Sequence, residues 1–348
     1  MAFSSAANYG NLPNGVFVPT IYSKKVQKAF RKESVVEAIT NSDYFGEIKN
    51  FGDTVKIIKE PEVTVVDYAR GTQLTPQDLE DSDFTLIVDR AKAYMFRMDD
   101  IEKQQAHVDW MDMAANRATY RLKDQYDADV LGYGAGYEKN GSGVWVARTA
   151  PVGTRAEASA DADELLSANK FSRATFVSAG SASDSVVVGT RGTFDVTPLM
   201  ILNRVVRRMD QLNIPMENRW VVIDPVFAEI LMDEDSKFIH NDYAPGSDQL
   251  TNGQLIHGKI RGFKIYVSNN LPFLGTGPGT LDADGSSANY GVILAGTKEA
   301  IATAQQIEKT EKYRDPYSFG DIVRGMHLYG RKILRPEALI RVIYNINQ

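Results

Sequence analysis

Apolar positions along this chain fall into two periods, and the switches between them mark its elements. From Lys24 to Asn41, Val26, Phe30, Val35, Val36 and Ile39 recur at helical spacing, with Lys24, Lys25, Lys28, Arg31 and Lys32 on the remaining surface. From Asp53 to Val66 the period drops to two: Val55, Ile57, Val63 and Val65 share one side, Lys56, Glu60, Glu62 and Thr64 largely the other. A second such run spans Asp83 to Met98, where Phe84, Leu86, Val88, Tyr94, Phe96 and Met98 share a face. The stretch between them, Asp67 to Ser82, is rich in turn residues, so the two runs predict one long hairpin.

Gln104 to Leu131 is the strongest helical pattern, with Val108, Met111, Ala115, Ala118, Leu122, Tyr126 and Val130 stepping by three and four. It is expected to stop in Gly132-Tyr133-Gly134-Ala135-Gly136. Asn140 to Thr197 mixes Ala, Ser and Gly with short β-like runs at Val144 to Val146 and Ser185 to Val188, and reads as an insertion. Pro198 opens a helix to Leu212, and Asp224-Pro225 opens another to Met232, with Asp224 as its N-cap. Strands are expected at Trp220 to Ile223, Phe263 to Val267, Tyr290 to Leu294 and Ile301 to Ile307. A strand, bend and strand should run from Ile322 to Ile343, broken at Arg335-Pro336. No fixed-period repeat appears, and the alternation of strands and helices with long excursions predicts an α+β chain.

The hairpin has a physical consequence. Arms of 14 to 16 residues extend roughly 45 to 50 Å, whereas a compact chain of this size has a radius of gyration of about 20 Å. Such a ribbon must project, and an isolated two-stranded ribbon is marginal in water, so something outside the subunit should cover it.

Charge sharpens that picture. The 348 residues hold 39 basic and 45 acidic side chains, a net charge of -6, which argues against a dedicated nucleic-acid binder. Glu60 to Asp89 alone holds Glu60, Glu62, Asp67, Asp78, Glu80, Asp81, Asp83 and Asp89 against the single base Arg70, which leaves the rest of the chain near neutral. Two readings stay open and are compatible: protection of an exposed edge, and docking onto a basic surface of a neighbour. The cations of Lys24 to Lys32, diluted by Glu33 and Glu37, read as a solvated helix face rather than a DNA patch.

The absence of cysteine excludes disulfides, thiolate metal sites and cysteine nucleophiles, and fits a reducing compartment. Met1 to Ser23 carries no charge, but it has no basic start, and Asn11, Pro13, Asn14, Gly15 and Pro19 interrupt any apolar core, so it reads as a loosely structured arm rather than a signal peptide. No apolar run approaches the ~20 residues of a membrane span.

Candidate chemistry is thin. Gly253 to Lys259 has the glycine and lysine spacing of a phosphate-binding loop, yet Ile260 stands where a magnesium-binding hydroxyl belongs and no strand precedes it. Gly132, Gly134 and Gly136 end a helix instead of opening one, the wrong context for a dinucleotide fingerprint. Asp282-Ala283-Asp284-Gly285 lacks the further ligands of a calcium loop. His107, His240, His257 and His327 never fall at metal-ligand spacing, and no nucleophile elbow appears. Catalytic residues, cofactors and metals are therefore expected to be absent.

Two stretches carry a resemblance: Arg261-Gly262-Phe263-Lys264-Ile265-Tyr266-Val267-Ser268-Asn269-Asn270-Leu271-Pro272, and Val323-Arg324-Gly325-Met326-His327-Leu328-Tyr329-Gly330-Arg331-Lys332 leading to Arg335-Pro336-Glu337-Ala338-Leu339-Ile340. With the order of elements, they make the chain similar to the tailed-phage major capsid proteins of the Hong Kong 97 fold. The resemblance implies an N-terminal arm (1–49), an extended β-hairpin loop (50–99), a peripheral domain with a long spine helix (100–139, joined by the helix in 198–219), an insertion of uncertain placement (140–197), an axial domain (220–313) and return strands to the peripheral domain (314–348). It further implies a shell of five- and six-membered rings of identical subunits in which each extended loop lies across a neighbour. The implied partners are scaffolding, portal and decoration proteins and packaged DNA held by weak non-specific contact, with no membrane. The implied location is the virion capsid, and the host cytoplasm during assembly.

Some members of that family weld subunits through a lysine on this loop. Glu60 to Asp89 has no lysine, so no such crosslink is expected. Asp78, Glu80, Asp81 and Asp83, with Arg70, are the expected docking tip, and Arg204, Arg207 and Arg208 the expected receiving surface. An encapsulin-like compartment shell and a monomeric enzyme or carbohydrate-binding module are the alternatives.

Overall fold

A computed structural model describes residues 5–6, 9–13, 34–43, 54–59, 63, 65–68, 70–71, 73, 76–77, 82–105, 110–148, 165–177, 185–189, 195–232, 262–274 and 290–346. In chain order its elements are β1 (Ser5–Ala6), β2 (Tyr9–Pro13), α1 (Val36–Ile39), β3 (Thr54–Lys59), β4 (Ser82–Ile87), β5 (Arg90–Asp99), α2 (Asp100–Gln105), α3 (Trp110–Ala135), β6 (Tyr137–Lys139) and β7 (Trp145–Ala147). They continue with β8 (Lys170–Phe171), α4 (Arg173–Phe176), β9 (Val186–Val188), α5 (Pro198–Gln211), β10 (Arg219–Ile223), α6 (Pro225–Leu231), β11 (Lys264–Val267), β12 (Phe273–Leu274), β13 (Tyr290–Thr297), β14 (Ile301–Arg314), β15 (Gly320–Ile333) and β16 (Leu339–Ile346).

The core is built on a seven-stranded mixed sheet whose spine runs β11-β10-β13-β16, with β8 and β9 parallel to β16 and β12 antiparallel to β13. Alternation along β10 sends Val221 and Ile223 to one face and Trp220 and Val222 to the other. The first face is covered by α5, through Ile201, Leu202, Val205 and Met209, and by Phe227 and Leu231 of α6. Each such side chain, fully buried, contributes roughly 2 kcal/mol. The second face is covered by Tyr126, Val130, Leu131 and Tyr133 of α3 and by Val36 and Ile39 of α1.

A separate three-stranded antiparallel sheet, β14-β15-β5, leaves this core. Ile301, Tyr329 and Ile333 root it in the second face, and a bulge lies between Gln305 and Ile307 of β14.

Several sequence expectations change in detail. Of the helix expected over Gln104 to Leu131, 106–109 lie outside the described residues; α2 and α3 cover the rest, and α3 continues four residues past Leu131. Gly132 and Gly134 do not stop it; they make room. A Cβ at Gly132 would lie 2.3 Å from the Trp145 ring, and one at Gly134 2.8 Å from the tip of Ile301. Termination falls to Gly136, at φ +81°, while Arg341 donates to the Ala135 carbonyl at 3.0 Å and supplies from β16 the cation that the last turn of α3 lacks.

The strand expected over Asp83 to Met98 breaks at Val88-Asp89. Its first part pairs with β3 over six residues, from Thr54↔Ile87 to Lys59↔Ser82, and its second pairs with β15, from Arg90↔Tyr329 to Asp99↔Gly320. The crossover passes Gly330, where a Cβ would come within 2.3 Å of the Ile87 carbonyl. Within the stretch 140–197, expected as an insertion of uncertain placement, β8 and β9 lie in the main sheet alongside β16. Within 314–348, expected as return strands to the peripheral domain, β15 pairs with β14 and β5, and β16 lies beside β13. Of the helix expected over Lys24 to Asn41, only α1 falls within the described residues.

Asp224 caps α6 as expected, its carboxylate accepting from the Phe227 N–H at 3.2 Å, and the same oxygen accepts the Tyr344 hydroxyl. Burial pushes the Asp224 carboxyl up from its ordinary value, against the two hydrogen bonds. Ionisation therefore costs the folded chain more than the unfolded one. The resulting stability is fully present below the ordinary Asp range, near pH 4, and is lost as pH rises through the raised value. Asp224→Asn, which keeps an acceptor oxygen, should flatten that decline and be at least as stable as the parent at pH 7, whereas Asp224→Ala should lose about 2 kcal/mol by urea unfolding. An unchanged pH slope in the Asn variant refutes the assignment.

Candidate assembly surfaces

Three features display exposed side chains among the described residues. The first is the connection from β3 to β4. Val63, Val65, Val66 and Tyr68 are all exposed, Val65 to 94%, and Arg70 sits exposed in a turn with Gly71 at φ +91°. A run of large apolar side chains displayed in this way is not covered by its own subunit. Of the expected docking acids, Asp78, Glu80 and Asp81 lie outside the described residues, and Asp83 is described only through its backbone, opposite Ile58 in the β3–β4 ladder.

The second is α5. Of its three arginines, Arg204 donates to the Thr175 carbonyl and lies 5.7 Å from the Phe176 ring centre, and Arg208 donates to the Asn169 Oδ1 at 2.9 Å. The Asn169 amide in turn donates to the carbonyls of Pro336, Glu337 and Leu339. These two cations tie α5 to the segment carrying β8 and to the turn before β16. Arg207 is exposed on the same helix.

The third, which the sequence reading missed, is the far end of the β14–β15 hairpin. Five residues, Asp315 to Phe319, connect the strands, and Tyr317 and Phe319 are 97% and 80% exposed. The frame beneath them is polar. The Asp315 carboxylate accepts from the Tyr317 N–H at 2.9 Å and from the Ser318 hydroxyl, and faces Arg97 at 3.4 Å. The Ser318 hydroxyl, then the Tyr317 amide and Arg97, hold the Asp315 carboxyl below its usual range. Arg314 bridges Asp100 and Asp321, and the Asp100 N–H donates to the Phe319 carbonyl at 3.0 Å. The sequence signal was available: Asp315-Pro316-Tyr317-Ser318-Phe319-Gly320 places two aromatics in a turn, where polar residues normally stand.

Where this hairpin meets α3, Arg331 is buried facing Asp129, which also accepts the Tyr329 hydroxyl at 2.8 Å. Burial pushes the Arg331 guanidinium down to about 9, and the facing carboxylate compensates its charge. His327 lies buried between Tyr126 and Tyr329, as a core residue.

The other candidate motifs, Gly253 to Lys259, Asp282 to Gly285, His107, His240 and His257, lie outside the described residues. Among the described residues no group of His, Asp and Glu is arranged to hold a metal, and no helix is long and apolar enough to cross a membrane.

Comparison with known proteins bears on the family and the fold. A family model described as phage capsid protein matches residues 59–342. A solved structure from Mycobacterium phage Che8 is 24% identical with a TM-score of 0.64, covering 94% of this chain and 97% of its own. The capsid of cyanophage P-SCSP1u is 19% identical with a TM-score of 0.62, covering 99% and 97%, and the capsid of Ralstonia phage GP4 is 13% identical with a TM-score of 0.63, covering 98% of each. At these identities the likeness is one of fold. Among curated proteins, no sequence matches.

The exposed aromatics lead to a prediction. Tyr317→Ser combined with Phe319→Ser should leave monomer unfolding within about 0.5 kcal/mol of the parent. It should also lower self-association in sedimentation velocity. Unchanged association would remove this turn from the contact surface.

Proposed function

The chain belongs to the phage capsid protein family, and on that premise we propose that it is the major capsid protein of a tailed phage, assembling through rings of five and six copies into the icosahedral head around double-stranded DNA. The observation that carries this reading is the match to the family over residues 59–342, in a chain whose fold is that of solved phage capsids. The uncovered features of the monomer agree with it. A run of exposed valines and two displayed aromatics are liabilities in an isolated subunit and contacts in a shell.

The mechanism is mechanical rather than catalytic. Each contact between subunits is moderate, and multivalency around closed rings sums them into a shell that withstands its contents. The chain acts without enzymatic activity or cofactor. Its partners are identical subunits, with scaffolding, portal and decoration proteins during and after assembly, and its place is the virion, with the host cytoplasm before it.

In this reading 1–49 form the arm, 50–99 the extended loop, 100–139 the spine of the peripheral domain and 220–313 the axial domain, with β8, β9, α5 and β16 grouped with the axial sheet they pack on. The acids Asp78, Glu80, Asp81 and Asp83, beside Arg70, form the docking tip of the loop. Arg207 is the cation of α5 best placed to receive them, since Arg204 and Arg208 are engaged within the subunit.

Replacing Asp78, Glu80, Asp81 and Asp83 together with lysine should lower the yield or melting temperature of closed particles in negative-stain microscopy and calorimetry. An unchanged yield and melting point refute the charge-docking role. Because Glu60 to Asp89 offers no lysine amine, boiling assembled particles in SDS should release a monomer of 38.6 kDa. A ladder of covalent multimers under reducing conditions would contradict this.

A further inference from the structure

The three-stranded sheet has two outer strands, and they are defended unequally. At its base, the edge of β14 is closed by the chain itself: the Asn41 N–H donates to the Ile301 carbonyl at 2.8 Å, and the Thr303 N–H donates to the Asn41 carbonyl at 2.9 Å. Farther out, β14 reads Glu308-Lys309-Thr310-Glu311-Lys312-Tyr313-Arg314, the dense mixed charge with which edge strands repel unwanted pairing. The other outer strand, β5, reads Arg90-Ala91-Lys92-Ala93-Tyr94-Met95-Phe96-Arg97-Met98-Asp99 and pairs, among the described residues, with β15 alone. Ala91, Ala93 and Met95 are exposed, Met95 to 69%. A ten-residue strand with three cations, one acid and exposed apolar side chains is an edge left available.

The same chain holds a segment suited to that edge. Val63, Val65, Val66 and Tyr68 lie outside every strand, all exposed, in a run of residues that favour strands. Glu60, Glu62 and Asp67 flank them with the charge opposite to that of β5. On the sheet face that carries Ala93 and Met95, a groove of about 490 Å³ extends from β5 across Arg324 and Met326 of β15 to Glu311 of β14, with Arg324 paired to Glu311. Methionine surfaces adapt to varied apolar side chains. Added strands gain affinity from main-chain hydrogen bonds and specificity from alternate side chains seated in such grooves.

We infer that residues 63–68 of one copy add as a strand to the free edge of β5 in a second copy, with Val63 and Val65 turned toward the groove over Ala93 and Met95. This rests on the capsid reading, and it adds a receiving strand distinct from the α5 surface. It also assigns the loop's apolar residues, rather than its acids alone, to the contact.

The lack of cysteine permits a clean test. Val65→Cys is combined in turn with Ala91→Cys, Ala93→Cys and Met95→Cys, and separately with Tyr313→Cys on β14. Particles are assembled under reducing conditions, purified, oxidised and run on non-reducing SDS gels. At least one β5 combination should yield a ladder of covalent multimers that collapses on reduction, and the β14 combination should not. Closed particles in which no β5 combination crosslinks, or in which the β14 combination crosslinks instead, overturn the edge pairing. Failure of the unmodified chain to form particles in negative stain overturns the capsid reading itself.

Discussion

Apolar surface has to be removed from water, and among the described residues one copy of this chain does so chiefly around its seven-stranded sheet. There the two faces are closed by helices from different parts of the sequence, α5 and α6 on one side and α1 and α3 on the other. The three-stranded sheet is rooted in the second face by Ile301, Tyr329 and Ile333 and then continues beyond it. Past the bulge in β14 the buried cluster ends, and the sheet holds its shape through cross-strand polar contacts: Arg324 with Glu311, Lys312 with Asp321, and Arg314 between Asp100 and Asp321. Exposed ion pairs of this kind contribute at most about 1 kcal/mol each. They fix geometry more than they supply stability.

The buried polar groups serve the same division. Asp127, wholly buried on α3, accepts from the N–H groups of Val35 and Val36, from the Ser34 hydroxyl and from the Asn270 amide. One carboxylate thereby joins the base of the N-terminal arm, the long helix and the loop after β11. Losing it would leave several buried donors without an acceptor, each costing about 1–3 kcal/mol. The start of α1 is thus fastened to the long helix at a defined point.

What could be read from sequence was set by how local the determining physics is. Pro198, Asp224-Pro225 and Arg335-Pro336 act within a turn of themselves, and the elements they bound stand where the pattern put them. The period-two run from Asp83 to Met98 was equally plain, but periodicity records which side is apolar and not which strand is the partner. Only the fold reveals that pairing passes from β3 to β15 at Val88-Asp89. Gly132 and Gly134 were misread for a related reason. A glycine that ends a helix and a glycine that admits a Trp145 ring or an Ile301 methyl look alike until the neighbour is known. A strand as short as β8 leaves no periodic trace; β9 was legible as the β-like run at Ser185 to Val188, but not its pairing with β16 at the far end of the chain. On the surface, the acids of the loop were legible as charge. Which arginines of α5 remain outward was not, because a carbonyl at Thr175 and an amide at Asn169 decide it.

The asymmetry of the two sheet edges then follows from where each strand comes from. β14 follows β13 directly, so its base is caught by Asn41 and its far half must protect itself with charge. β5 is the continuation of the projecting loop, entering the sheet after the crossover at Gly330. The chain therefore carries the unpaired β-branched segment and the undefended edge on one continuous stretch, separated only by β4 and its flanking turns. A subunit whose segment 63–68 lies on a neighbour thereby leaves its own β5 open to the next copy. Contacts of that head-to-tail kind repeat around a ring and close when the rotation per copy divides a full turn. An edge that would be an aggregation hazard in a solitary protein thus becomes, in a ring-forming one, the means by which each copy specifies the placement of the next.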